Sequence, residues 1–358
     1  MSLVIAVGVS GSGGKTVPVT KPAESPAVAD AVQPDASRKY LLERVDDAAV
    51  AQLYADGFKD LPLEQKTLIW HLYQAAVAGR DIYYDQRYAH NLEMRDVLEE
   101  ILTHSDGVDA VTLAEIQRYT KLFWLNTGPF NNLTARKFVM KIAPDAFGSA
   151  ARAAQKSGAK FPLKPGETLD AMLKRMQPLF FDPNLDPIVT NKTPGDGKDI
   201  LQESANNLYV GATMKDLEGF KERYALNSRV VKRNGKLVEE VYRIGGRYDK
   251  ETRAIVRNPE AAIGFATPTM KEALNALIQW YRTGEDSDRA AYDIAWVQDK
   301  DSPVDTINGF IEVYMDPRGH KGSWEALVYF VNREKTEEIR KLATNAQWFE
   351  DRMPWAAQ

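Results

Sequence analysis

The chain contains 358 residues, of which 44% are hydrophobic and 27% are charged, a composition typical of soluble globular proteins. Its formal net charge of −4 does not fit the basic surface of a nucleic-acid-binding protein, so no nucleic-acid partner is expected. The absence of cysteine excludes disulfides, thiolate zinc sites and thiol nucleophiles, and no apolar run approaches the roughly 18 residues of a membrane span.

The N-terminal segment combines an apolar run with a glycine-rich stretch that ends in Lys15 and Thr16. A nucleotide-binding phosphate loop is rejected, because its pattern requires glycine at position 9, where this chain has Val9, and because no helix follows. Residues 1–37 are expected to be a disordered tail, with a truncated export signal and a linker rich in Pro, Ala and Ser. This signal predicts a periplasmic location, with the cytoplasm as the alternative.

The first folded half, residues 38–180, is predicted to be largely helical. Apolar residues recur there at helical spacing, and Gly, Asn and Pro clusters mark the ends of the runs. Residues 130–142 are left without an assignment. The predicted helices cover residues 40–57, 63–79, 81–104, 113–125, 144–157 and 168–178.

The second half, residues 181–332, is predicted to mix strands and helices. Asn234-Gly235 lies between two β-prone runs and predicts a type I′ hairpin over residues 229–244. Thr267 as the cap and Gly284 at the end predict a helix between them. Further helices are predicted over 286–296 and 336–348, the last with Ile339 and Leu342 facing inward. The fold class is therefore α+β.

Residues 305–332 predict two strands joined by a loop. In the first strand, through Asp316, alternation places Ile307 and Ile311 on the core face and Glu312 and Tyr314 together on the opposite face. A carboxylate and a phenol in this arrangement could bind a peptide, because one takes an ammonium group and the other donates to a carbonyl. The alternative interpretation is the ordinary polarity of a half-exposed strand.

A complete catalytic set is not found in the residues alone. The sequence has four histidines and no HExxH pattern. The pairs His90/Glu93 and Glu100/His104 each supply two ligands on a predicted helix, fewer than a zinc site requires. No serine lies in a nucleophile-elbow pattern.

Two runs near the C-terminus resemble the dipeptidyl peptidase III family of zinc exopeptidases. They are AWVQDK at 295–300 and GFIEVYMDPRG at 309–319. The resemblance extends from about residue 39 to the C-terminus and is greatest to bacterial members. Further similar positions are Asn126-Thr127-Gly128, Lys137-Phe138-Val139, Gly322, Glu325, Val331-Asn332 and Pro354-Trp355.

The resemblance implies a zinc-dependent enzyme that releases dipeptides from the N-termini of short peptides. Family members have a lower lobe of helices and β-barrel-like strands and an upper, helical lobe that carries zinc. The family's HExxGH motif does not occur in this sequence. The chain is therefore expected to be an N-terminal portion, inactive alone and binding no zinc. Residues 38–332 would be the lower, substrate-binding lobe, and 333–358 would begin a helix leading to a missing C-terminal zinc lobe.

Carried over by residue, the resemblance implies that Glu312 binds the α-ammonium group of the peptide. Tyr314 would be catalytic and donate to the scissile carbonyl as negative charge develops. Glu325 would contribute to substrate binding, and Trp296 would either line the cleft or pack in the fold. Met315 stands where the family often has arginine, which is expected to alter the rim of the site. The alternative function is a non-catalytic peptide-binding or scaffolding module that recognises free N-terminal amines.

Overall fold

The computed structural model describes residues 4–7 and 37–355. Most of the tail predicted for residues 1–37, including the glycine-rich stretch and all of the predicted export signal except residues 4–7, lies outside these residues. Val4–Val7 differs from the predicted disorder. It forms a strand because its backbone pairs antiparallel with residues 49–52.

Helices and strands are distributed along the whole described chain. Two short 3-10 helices, Phe58–Asp60 and Ile263–Phe265, accompany the longer elements. The strands are β1 (Val4–Val7), β2 (Leu41–Val45), β3 (Ala48–Gln52), β4 (Tyr209–Val210), β5 (Ser228–Arg233), β6 (Lys236–Val241), β7 (Val304–Phe310) and β8 (Trp324–Phe330). The helices are α1 (Leu63–Ala78), α2 (Arg80–Arg87), α3 (Asn91–Thr103), α4 (Ala110–Asn126), α5 (Pro144–Lys156), α6 (Leu169–Phe181), α7 (Asp249–Ala262), α8 (Pro268–Thr283), α9 (Asp286–Gln298), α10 (Arg333–Thr344) and α11 (Ala346–Glu350).

The chain divides into two compact units by its internal contacts. The first comprises the described part of Met1–Ala55 together with His90–Val189, and the second comprises Asp56–Ala89 and Thr190–Gln358. The second unit thus takes α1 and α2 from the helical half of the sequence.

The helix predicted over residues 40–57 is wrong. This run forms the β2–β3 hairpin, in which Val45 pairs with Ala48 across a turn at Asp46. Asp46 has a φ of 52°, a left-handed conformation that a helix interior does not contain but that aspartate adopts readily in turns. Val45 and Val50 belong to one small apolar cluster, and their burial there stabilises the hairpin relative to a helix.

Most other helix predictions are confirmed, with ends displaced by a few residues. The prediction for 81–104 is wrong in its continuity, because Tyr88 is extended, with a φ of −161°, and separates α2 from α3. No helix among the described residues is long and apolar enough to cross a membrane. The confirmed helices are α1, α4, α5, α6, α8 and α9.

The last predicted helix is divided, and α7 was not predicted. Asn345 separates α10 from α11, and the side chains expected to face inward are exposed, with Ile339 at 63% and Leu342 at 53%. Helix α7 continues through Pro259, although proline usually interrupts a helix. The inward orientation of residues 339 and 342 is therefore wrong for this structure.

The described strands form three open sheets, ordered β1-β3-β2, β4-β5-β6 and β7-β8. The predicted hairpin at 229–244 is confirmed as β5–β6, with Asn234 and Gly235 at φ values of 49° and 75°, as a type I′ turn requires. The mixture of helix and sheet agrees with the α+β prediction. A barrel-like closure of strands is not confirmed in the described part of the chain.

The strand that was expected to run through Asp316 ends earlier. Strand β7 pairs antiparallel with β8 only as far as Phe310, opposite Trp324. Beyond it, the amide of Ile311 donates to the Ser323 carbonyl at 3.0 Å, and the amide of Ser323 donates to the Glu312 carbonyl at 2.8 Å. Two residues thus face one, which is the arrangement of a β-bulge and ends the regular alternation.

The buried face of β7 is the opposite of the predicted one. Asn308 and Phe310 are 2% and 1% exposed, whereas Ile307 and Ile311 are only half-buried. Burial of Asn308 is tolerated because its side-chain oxygen accepts a hydrogen bond of 2.5 Å from the Tyr281 hydroxyl. Phe310 completes an aromatic cluster with Tyr242, at 5.0 Å between ring centroids, and with Trp280, at 6.0 Å.

Candidate functional site

Glu312 and Tyr314 lie in the loop that follows β7, and both are exposed. Tyr314 has 75% of its surface accessible to solvent. Within the part of the chain that the structure describes, neither side chain has a hydrogen-bond or ion-pair partner. The structure therefore presents both groups at the surface, where a ligand can reach them.

Glu325 lies beside Glu312. It is on β8, where it pairs with Gly309, and its side chain is partly buried. Burial raises the pKa of the Glu325 carboxyl, and the negative charge of Glu312 raises it further. A carboxylate whose proton affinity is raised by a second carboxylate attracts a cation, because a bound cation relieves the repulsion between the two. The structure thus brings these two residues together.

Trp296 lies away from this pair. Its indole Nε1 donates to Asp305 Oδ1 at 2.9 Å, and the ring packs against the buried aromatic cluster. Asp305 also accepts a hydrogen bond of 2.7 Å from the Tyr329 hydroxyl. Asp305 is four residues before Gly309, or about 13 Å along a strand. This geometry favours the packing alternative for Trp296.

Met315 itself does not form part of the rim, and the effect of the missing arginine on the rim stays a prediction. It is 8% exposed and belongs to an apolar cluster that includes Leu208 and Val230. Its carbonyl accepts hydrogen bonds from Thr190 Oγ1 at 2.6 Å and from Asn206 Nδ2 at 3.0 Å. A methionine suits this position because its side chain points into the interior.

Asp316, which sequence reasoning placed on the exposed face with Glu312, is fully buried. Its Oδ2 accepts hydrogen bonds from the Tyr209 hydroxyl at 2.9 Å and from the amides of His320 and Lys321, both at 2.8 Å. Its Oδ1 accepts from the amide of Arg318 at 2.9 Å. The carboxylate therefore closes the turn of residues 316–321 from inside. The Asp-Pro pair in the sequence signalled a turn of this kind.

A buried ionic network supports the same turn and was not predicted. Glu222 accepts from Arg318 Nη1 and from Lys321 Nζ, each at 2.5 Å, and the Lys321 side chain is fully buried. Burial lowers the pKa of the Lys321 amine, and the charge of Glu222 offsets part of this effect. Burial by itself raises the pKa of Glu222, but Lys321 and Arg318 hold it below its ordinary value. Each charge is tolerated because the other is present.

A zinc site is not found among the described residues. No three His, Asp or Glu side chains within 4–7 and 37–355 come together so as to hold a metal ion. His320 is exposed and contributes its backbone amide to Asp316. His71 stacks on Phe265, with 6.1 Å between ring centroids. The described residues thus do not fit the zinc expected for a full-length family member.

Comparisons with known sequences point to one family. A family model described as Peptidase family M49 matches residues 203–358. Dipeptidyl peptidase 3 of Dictyostelium discoideum is 32% identical over 111 residues, 31% of this chain and 16% of that protein. Dipeptidyl peptidase 3 of Homo sapiens is 37% identical over 60 residues, 17% of this chain and 8% of that protein. The matched segments span less than a fifth of either relative.

The fold is similar to two solved structures. For DPP III from Caldithrix abyssi the TM-score is 0.50 at 19% identity, covering 85% of this chain and 46% of that one. For dipeptidyl-peptidase III from Corallococcus sp. strain EGB the TM-score is 0.53 at 19% identity, covering 84% and 45%. The chain thus spans less than half the length of either structure, and the likeness concerns the fold.

Proposed function

The chain belongs to the dipeptidyl peptidase III family, a family of peptidases, and from this we propose that it is the substrate-binding part of a dipeptidyl peptidase. Its substrates would be short peptides with a free N-terminus. None of the described residues is assigned as a ligand of zinc, the cofactor expected for full-length members.

The observation that supports the proposal is the pair of carboxylates beside an exposed phenol. Glu312 and the partly buried Glu325 together attract a cation, and the α-ammonium group of a peptide supplies one. Tyr314 follows two residues later with a free hydroxyl, which can donate to a backbone carbonyl of the same peptide. Glu312 is proposed to bind the amine, Glu325 to strengthen that binding, and Tyr314 to stabilise charge on the scissile carbonyl.

The expected affinity follows from the exposure of the site. An ion pair in open water contributes only about 0–1 kcal/mol, because solvent competes for both charges. Glu312 is exposed, so this chain by itself should bind a short peptide weakly. A second surface that excluded water would strengthen the same contacts, because charge-assisted hydrogen bonds are stronger in a low dielectric.

The amine-binding role is tested with tetra-alanine and its N-acetylated form, titrated into the chain and followed by amide NMR. We expect tetra-alanine to shift the signals of residues 311–314 and 325. Acetylation of the peptide, or the substitution Glu312→Gln, should each weaken binding about 5-fold, close to 1 kcal/mol. Glu334→Gln removes a comparable exposed charge from the first turn of α10 and should leave the titration unchanged. Equal affinity for both peptides would refute the role given to Glu312.

The catalytic incompleteness of the chain is a separate prediction. The sequence lacks HExxGH, so dipeptidyl-arylamide substrates should not be hydrolysed by the purified chain, with or without added Zn²⁺. The readout is release of the arylamine over many hours, with a zinc peptidase as the positive control. Zinc-dependent release that survives gel filtration of the chain would contradict this prediction.

A further inference from the structure

The segment 312–314 is exposed, yet the chain on both sides of it is fixed. On one side, the bulge hydrogen bonds tie Ile311 and Glu312 to Ser323. On the other, Met315 is buried and its carbonyl accepts two side-chain hydrogen bonds. The exposed side chains of Glu312 and Tyr314 are therefore carried by a short segment whose two ends are anchored.

The carboxylate of the next residue extends the second anchor. Asp316 follows Met315 directly and accepts four hydrogen bonds, three of them from backbone amides of the turn that it begins. Each of these bonds is charge-assisted and shielded from water, since Asp316 is 0% exposed. The direction in which the chain leaves Tyr314 is thus set by the Asp316 carboxylate together with the contacts of Met315.

The return strand is fixed independently. The side chain of Gln86, which is 0% exposed, donates to the Gly322 carbonyl at 3.0 Å and accepts from the Trp324 amide at 2.8 Å. The side-chain amide of Gln86 thus makes the hydrogen bonds that the backbone of a neighbouring strand would otherwise make at the start of β8. Glu325, one residue later, keeps its place through Gln86. Tyr314 depends on the anchor at Met315 and Asp316, and Glu312 depends on that anchor and on the bulge hydrogen bond from Ser323.

We propose that Asp316 is a positioning residue for recognition of the peptide N-terminus, because its buried carboxylate fixes the segment that carries Glu312 and Tyr314. This inference rests on the proposed function. Asparagine at this position presents an N–H₂ group to backbone and hydroxyl donors that need an acceptor. The turn then loosens, and Glu312 keeps only the bulge hydrogen bond between its carbonyl and the Ser323 amide, so its side chain is held less firmly beside Glu325.

The test compares Asp316→Asn with Asp305→Asn by the same peptide titrations. Asp305 lies at the other end of the hairpin and also accepts two side-chain hydrogen bonds, from Trp296 and Tyr329. The readout is the ratio of the affinities for tetra-alanine and its N-acetylated form, because general destabilisation lowers both affinities alike. We expect the ratio to fall from about 5 to below about 2 in Asp316→Asn and to stay near 5 in Asp305→Asn.

Amide hydrogen exchange gives a second readout. Residues 318, 320 and 321 should exchange faster in Asp316→Asn, while the amide of Trp324, held by Gln86, should not. If Asp316→Asn does not fold, Tyr209→Phe removes one of the four hydrogen bonds and should lower the ratio in the same direction.

The proposed function and the positioning role of Asp316 can be refuted separately. If the parent chain discriminates between the peptides but Asp316→Asn keeps its ratio, and Tyr209→Phe likewise, the positioning role is refuted while the role of Glu312 stands. If the parent chain does not discriminate, the proposed function is refuted, and the positioning role falls with it.

Discussion

Replacing Gly309 with alanine is expected to lower the free energy of unfolding by about 2–6 kcal/mol. Gly309 has a φ of 151°, which residues with a side chain rarely adopt, and such strain costs roughly 1–3 kcal/mol. A Cβ atom at this position would lie 2.5 Å from Cζ3 and 3.1 Å from Cη2 of Trp280. Overpacking of a core adds about 1–3 kcal/mol.

Trp280 cannot move aside easily, because it is 2% exposed and lies against Phe310 and Tyr292. Gly319→Ala is the matched control. Gly319 also has a positive φ, of 71°, but a Cβ atom there meets open space, so only strain of about 1–2 kcal/mol is expected. Urea unfolding of both variants, followed by tryptophan fluorescence, measures the difference. Equal losses would show that contact with Trp280 does not matter.

A clash between residue 309 and Trp280 would also affect the candidate site. Gly309 pairs with Glu325 and precedes Glu312 by three residues, so a displaced backbone here would separate the two carboxylates. Glycine at this position is therefore explained by the approach of an indole ring from α8. The sequence motif contains the glycine, but only the packing gives the reason for it.

Signals contained within a few residues predicted the fold well. The β5–β6 hairpin follows from Asn234-Gly235, because both residues accept the positive φ of the turn. Helix α8 follows from its own ends, since Thr267 accepts a hydrogen bond from the Met270 amide and Gly284 adopts a φ of 75°. No distant residue is needed for either element.

The errors arose where a distant partner decides the outcome. Alternation assigned Asn308 to the surface, but the Tyr281 hydroxyl, 27 positions earlier, satisfies its side chain and allows burial. Asp316 was likewise assigned to the surface, but the Tyr209 hydroxyl, 107 positions earlier, and three amides of the local turn donate to its carboxylate and allow burial. Binary patterning treats every polar residue as solvated and cannot anticipate such pairs.

The candidate site was predicted only in part, because the contacts that support it also join residues far apart in the sequence. Glu312 and Tyr314 were selected as polar residues on one strand face, and both are exposed, although a bulge and a loop place them rather than a regular strand. Their support was not predicted. Glu222 meets Lys321 across 99 positions, and neither residue carries a local signal of this contact.

Replacing Glu222 with glutamine is expected to destabilise the chain by about 3–5 kcal/mol, the loss typical of removing one partner from a buried ion pair. Glutamine keeps the size of the side chain but leaves the ammonium group of the fully buried Lys321 without its counter-charge. Arg318 also loses its carboxylate partner. Glu338→Gln, in an exposed pair with Lys335, is the control and should change stability by less than about 1 kcal/mol.

The difference between Glu222→Gln and the parent chain should depend on pH in a defined direction. The pKa of Glu222 lies below its ordinary value of 4.5 in the folded chain, so its stabilisation is present above that value and is lost as pH falls through the folded pKa. Acid therefore destabilises the parent chain more than the variant, and the difference between them narrows.

The difference in stability between the parent chain and Glu222→Gln should also narrow at alkaline pH. Burial lowers the pKa of Lys321 below 10.5, and without Glu222 it should fall further. Between the folded and unfolded pKa values the unfolded chain binds more protons, so stability rises with pH, and more so in the variant. Urea unfolding from pH 3 to 10 should thus give the largest difference near neutrality. A difference that is constant with pH would mean that Glu222 acts through packing and not through its charge.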